Sequence, residues 1–152
     1  MKYLHYVFIG IALIGIQGVS PLSAHAAQFL SGNNISIEHS ELIPENVYAF
    51  GRTVTFDGTL SGDIMGAGST VLMSGSATED ALIAGSQVLI NGIVGEDARI
   101  AGGTVSIDAR IGNDLLVAGS DITTNMQTVV NGDTFIIGSH VDLAGAFGDV
   151  TI

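Results

Sequence analysis

The chain of 152 residues has no cysteine, no tryptophan, two prolines and only four lysines and arginines together. Each shortage excludes something. Without thiols there can be no disulfide staple and no thiolate metal site, and no cysteine to carry the lipid of a bacterial lipoprotein. Four cations against 15 acids leave a net charge of −11. Nucleic acid is then a poor partner, because phosphate binding needs clustered cations that displace counterions. Anionic membrane surfaces are excluded by the same argument. Charged residues make up 12% of the chain, whereas 47% is hydrophobic and 21 residues are glycine. Ordinary amphipathic helices do not organise a sequence of that composition. The length suits a single domain.

The N-terminus reads as a targeting segment. Lys2 supplies a short positive region, and residues 7–19 form an apolar run broken only by Gln17. Pro21 follows, and Ala24-His25-Ala26 has the small-x-small pattern that a signal peptidase reads. A membrane-spanning helix needs about 20 apolar residues, and this run is shorter. The alternative is an uncleaved signal anchor. Residues 1–26 are therefore expected to be a signal peptide, and the mature chain to work outside the cytoplasm in the periplasm, at the cell surface or beyond it. Cleavage after Ala26 removes Lys2 and leaves Arg52, Arg99 and Arg110 against all 15 acids.

What the chain does have is repetition. Gly51, Gly68, Gly85, Gly102 and Gly119 stand 17 residues apart, and Gly138 follows after 19. A second marker keeps step: Asp63, Asp80, Asp97, Asp114, Asp133 and Asp149. Three positions after each glycine comes Val54, Val71, Val88, Val105, Ile122 or Val141, and two further on Phe56, Met73, Ile90, Ile107, Thr124 or Leu143. Directly after each aspartate comes Ile64, Ala81, Ala98, Leu115, Thr134 or Val150, with Ile83, Ile100, Val117 and Ile136 two residues later. Alternation with period two means strands. The glycine and Asx clusters between them mean turns, here expected to use positive φ.

A 17-residue unit of short strands cannot bury its own apolar face, but it can when stacked on copies of itself. The expected fold is all-β: a single-stranded β-solenoid of about six 17-residue rungs over residues 47–152. Residues 27–46 are expected to be an N-terminal cap or linker, with Ile35-Ser36-Ile37 as a partial strand. Thr124, Thr128 and a two-residue insertion within 125–131 should form a bulged corner and the weakest rung. The sequence stops one strand into a further rung at Val150-Thr151-Ile152, which suggests either an end that polymerises or a truncated chain.

The recurrent pattern Ala84-Gly85-Ser86-Gln87-Val88-Leu89-Ile90-Asn91-Gly92, closed by Gly95-Glu96-Asp97, resembles the polymer-forming proteins of the bactofilin superfamily, over residues 47–152. The resemblance implies a compact triangular β-helix that polymerises without nucleotide and serves envelope shape or assembly. The filament-forming members act on the cytoplasmic side. With its export signal, this chain is closer to an exported relative.

Candidate sites follow from the columns. Stacked aspartates about 4.8 Å apart repel by about 1 kcal/mol per neighbouring pair in water, so each must accept N–H bonds at its turn or share a cation. The turn role is the simpler one, and no calcium site or other cofactor is expected. Two positions after Asn46 and after Asp63, Asp80, Asp97, Asp114 and Asp133, on the side opposite the buried residues, stand Tyr48, Met65, Leu82, Arg99, Leu116 and Phe135. Two further on come Phe50, Ala67, Ala84, Ala101, Ala118 and Ile137. These columns make a flat apolar face suited to an interaction, unless curvature tucks the alanines inward at a corner.

Catalysis is not expected. Arg99 and Arg110 fall in different parts of neighbouring repeats, and His39 and His140 lie far apart, so neither a paired-acid groove nor a ligand cluster is visible. Nor is a small-molecule substrate expected. Thr53, Thr70, Gln87, Thr104, Asp121 and His140 are too irregular for an ice-binding ladder. The reading is an exported structural or scaffolding β-helix of the cell envelope that self-associates end to end or laterally, with a surface adhesive or carbohydrate-binding module as the alternative. Exported from a Gram-negative host, the product should start at Ala27 on N-terminal sequencing. A membrane-bound product that retains Met1 would instead mean an anchor.

Overall fold

The computed structural model describes residues 27–152, so the expected signal peptide lies outside the described residues. All regular structure described is β. Seven long strands, β1 (Gln28–Ile37), β3 (Val47–Phe56), β5 (Ile64–Met73), β7 (Ala81–Ile90), β9 (Ala98–Ile107), β11 (Leu115–Thr124) and β13 (Thr134–Asp142), stack in chain order in one parallel sheet. The two-residue β14 (Val150–Thr151) closes that sheet beside Thr134 and Phe135. Between them, the short strands β2 (Leu42–Ile43), β4 (Thr59–Leu60), β6 (Ser76–Ala77), β8 (Ile93–Val94), β10 (Arg110–Ile111) and β12 (Val129–Val130) form a second parallel sheet. Each of the first six turns contributes one strand to each sheet, and the seventh reaches the second sheet only through a single bridge from Ala146 to Val129. At an inter-strand spacing of ~4.8 Å, seven turns make a rod about 34 Å long.

Side-chain parity shows where each long strand bends. In β5, Ile64 and Gly66 point inward, then Val71 and Met73, so the inward set moves from odd to even positions across Gly68-Ser69. One ten-residue strand thus serves two walls of the coil, and the short strand supplies a third. The inward columns meet in one core that includes Val54, Val71, Val88, Val105 and Ile122. Like residues stack on like, since Val71 pairs with Val54 on one side and Val88 on the other. This is the arrangement the 17-residue period demands.

The solenoid starts earlier than the sequence reading placed it. Strand β1 pairs with β3 over its whole length, Gln28 with Val47 through Ile37 with Phe56, and Leu42-Ile43 pair with Thr59-Leu60. Residues 28–46 are therefore a complete first turn rather than a cap or linker with a partial strand. Its 19-residue offset from Gly32 to Gly51 equals the later one from Gly119 to Gly138.

The turn chemistry also differs from expectation. Among the described residues, Gly145 (φ 128°) is the one position with positive φ. The glycines serve close stacking instead. A Cβ on Gly92 would sit 2.0 Å from the Gly75 carbonyl oxygen of the turn before, and one on Gly68 would sit 2.6 Å from that of Gly51. Rungs at ladder spacing leave no room for a side chain where the backbone folds over itself.

The two-residue insertion forms a turn at residues 125–128, with Asn125 Oδ1 accepting from the Gln127 N–H at 2.9 Å. Thr124 and Thr128 are buried there, but both hydroxyls are satisfied. Thr124 Oγ1 donates to the Ala144 carbonyl at 2.7 Å and accepts from the Ala144 N–H at 2.9 Å. Thr128 Oγ1 donates to the Ile107 carbonyl at 2.8 Å. The Ile107 carbonyl also accepts the Asn125 N–H at 3.2 Å, so the Thr128 hydroxyl adds a second bond there. The Thr134 hydroxyl, by contrast, is buried without a partner, a defect worth about 1–3 kcal/mol.

Parity makes a direct test possible. Ile83 is fully buried while its neighbour Leu82 is 44% exposed. In urea unfolding, Ile83→Ala should lose about 2–5 kcal/mol, and Leu82→Ala within about 0.5 kcal/mol of nothing. Equal losses at both positions would contradict the inward assignment.

Candidate interaction face

The first wall of the coil presents its outward residues in two columns. One runs Phe29, Tyr48, Met65, Leu82, Arg99, Leu116 and Phe135, each beside its register partner. The other runs Ser31, Phe50, Ala67, Ala84, Ala101, Ala118 and Ile137 in the same register. Leu82, Leu116 and Phe135 are 44%, 43% and 45% exposed, and Tyr48 and Met65 are half-buried. Ala84 and Ala101 are exposed and Ala67 and Ala118 half-buried, so the alanines lie on the outside of the wall and are not tucked into a corner. Over them is an open depression of about 300 Å³, lined by residues that include Leu82, Ala84, Ala101, Leu116, Ala118 and Ile137.

Phe29 extends the face and was missed, because residues 27–46 were read as a cap. Its ring stacks on Tyr48 with centroids 4.9 Å apart and planes 21° apart. The signal was partial: Phe29, Leu30 and Gly32 match Tyr48, Ala49 and Gly51, but Gln28 and Ser31 stand where that turn has Val47 and Phe50.

One margin of the face is the aspartate column, and its carboxylates are tied into a ladder. Asp63 Oδ1 accepts the Asp80 N–H at 3.3 Å, Asp80 Oδ1 the Asp97 N–H at 3.0 Å, and Asp97 Oδ1 the Asp114 N–H at 3.2 Å. Asp114 Oδ1 takes the Asp133 N–H at 2.8 Å across the long turn. Asn46 heads the ladder, with Oδ1 accepting from the Asp63 N–H at 3.1 Å and Nδ2 donating to Asp63 Oδ2 at 3.2 Å. The acceptor role expected of a turn aspartate is therefore filled between turns, not within one. Backbone donors aimed at the carboxylates of Asp63, Asp80, Asp97 and Asp114 offset the repulsion of stacking like charges.

Arg99 interrupts the apolar column and faces this ladder. Its Nη1 donates to Asp80 Oδ2 at 2.9 Å and its Nη2 to Asp97 Oδ2 at 2.7 Å, bridging two rungs. Burial works against the Asp80 carboxylate, but the Asp97 N–H and the Arg99 guanidinium outweigh it, so its pKa lies below the usual carboxylate value. The hydrogen bond to Asp80 leads the causes that push the Arg99 pKa up. A second open depression, about 460 Å³, follows Asp97, Asp114, Asp133 and Asp149 past Leu116 and Phe135.

The remaining candidates stay apart. His39 reaches Asp57 Oδ1 at 3.8 Å on one corner, His140 is exposed on β13, and Arg110 is exposed on β10. Among the described residues there is no group of three or more histidines and acids placed to hold a metal.

The Arg99 bridge has a pH signature. A carboxylate whose pKa falls on folding adds stability above its unfolded pKa and loses it as pH drops through the folded value. The difference in thermal midpoint between wild type and Arg99→Gln should be largest near neutral pH. It should start to shrink near pH ~4 and vanish below. A difference independent of pH would show that Arg99 acts through its stem and not its charge.

Compared with protein-family models, with curated proteins and with solved structures, the chain finds no match in any of the three.

Proposed function

We propose that the chain is an exported structural β-solenoid of a bacterial envelope, working by protein association through its flat apolar wall and not by catalysis. The observation that carries this reading is the outward column of Tyr48, Met65, Leu82, Leu116 and Phe135, interrupted only by Arg99, beside small alanines. Contiguous exposed apolar surface of this kind is characteristic of a binding face. The depressions over the wall are open and shallow, a shape that suits a flat partner better than a small substrate, for which enclosed clefts are usual. Export is supported by the charged, apolar and small-residue order of residues 1–26, and the polymer-forming role by the repeat's resemblance to bactofilins.

An adhesive or glycan-binding role is the second reading. Phe29, Tyr48 and Phe50 cluster at one end of the wall, and aromatic rings are the usual platform for sugars. A glycan array probed with wild type and Phe29→Ala would show binding lost in the variant if this reading holds.

Association is tested on the exported full chain by sedimentation velocity. Wild type should form species larger than the monomer, and Leu82→Glu with Leu116→Glu should return it to monomer with its β circular dichroism unchanged. Unaltered association in the double variant would sink the reading.

A further inference from the structure

The two margins of the apolar wall are chemically different. One carries Asp63, Asp80, Asp97, Asp114, Asp133 and Asp149. The other, just past the glycine column, carries exposed Arg52, Ser69, Ser86, Gly103, Ser120 and Ser139, with no acid. The two columns between the margins differ as well. Over the four middle turns the column next to the acids is bulky (Met65, Leu82, Arg99, Leu116) and its neighbour towards the serines is small (Ala67, Ala84, Ala101, Ala118), with Phe50 and Ile137 bounding the small stretch at its two ends.

We propose that the occupant of this wall is a second copy of the same chain, packed face to face with both rods pointing the same way. The proposal rests on the reading of the wall as an association surface and specifies the partner and its orientation. Two copies can close on this wall by a twofold axis in two ways. With the axis across the strand stack, the rods run antiparallel and like lies over like. Six aspartates then confront six, the leucines meet leucines, and alanines face alanines across a gap.

With the axis along the rod, every column lies over its opposite. Leu82 and Leu116 then enter the depression of about 300 Å³ over the other copy's alanines. Each aspartate ladder lies over the uncharged serine margin. Arg52 lies on β3 and Asp63 immediately precedes β5, the next strand of the stack, so each Arg52 comes within about one rung, ~4.8 Å in height, of the other copy's aspartate margin at Asp63. Shape and charge therefore select the same orientation independently. An unrelated partner would need its own matching bulky column and a margin free of acids, and a second copy already has both.

The chain's lack of cysteine allows a direct test on the exported full-length protein with single-cysteine variants and a short bismaleimide. Met65→Cys mixed with Ala67→Cys should give a covalent heterodimer as the dominant product, because opposite columns of one turn face each other. Ala67→Cys mixed with Ala101→Cys should give only background coupling. The reverse result is the antiparallel signature, since the third and fifth turns would then meet, and it would overturn the orientation while leaving association intact. Coupling in neither mixture, in a chain that still sediments as a dimer, would likewise overturn the face-to-face arrangement alone. A chain monomeric at every concentration overturns this inference and the association reading together.

Discussion

Everything in this protein depends on the parallel backbone ladder that runs along the rod axis. Once residue i must lie over its counterpart one turn on, every column becomes uniform in chemistry or has to compensate. Apolar columns close the core, with Val71 between Val54 and Val88. Glycine columns allow the chain to cross over itself where a Cβ would meet a carbonyl at 2.0–2.6 Å. The same rule imposes a liability, because a charged residue is also stacked on its own kind.

The aspartate column shows how the liability is handled. Each carboxylate from Asp63 to Asp114 takes the N–H of the next turn's aspartate, so an acid ladder becomes part of the hydrogen-bonding of the coil. Asn46 begins it with a neutral amide, and Arg99 adds a cation midway by bridging Asp80 and Asp97. Arg99 occupies a position that other turns fill with Tyr48, Met65, Leu82, Leu116 or Phe135. The wall thus gives up one apolar residue at its centre in exchange for a charge held against its own acids. Irregular turns use a comparable device, with the Thr124 and Thr128 hydroxyls bonding backbone groups of neighbouring turns where the corner is two residues longer.

The outward wall is a further consequence of this regularity. A solenoid that keeps one bulky and one small column side by side over several turns presents a straight ridge and a straight groove. The depressions along it are open.

The sequence by itself determined the all-β coil, its 17-residue turn and the inward columns, because period and alternation follow directly from strand geometry and ladder spacing. It also singled out Tyr48, Met65, Leu82, Leu116 and Phe135 as outward, since period two fixes which side of a strand a residue takes. Only the tertiary structure decided that Gln28–Ile37 is a full strand of the coil: its columns carry Gln28 and Ser31 where the next turn has Val47 and Phe50, so the pattern alone was too weak. Only it revealed that the aspartates bond between turns, that the glycines serve close stacking and not positive φ, and that Arg99 spans two of the acids. Those are contacts across the stack, 17 or 19 residues apart in the chain. Periodicity states which residues are neighbours there, and side-chain geometry alone states which atoms meet.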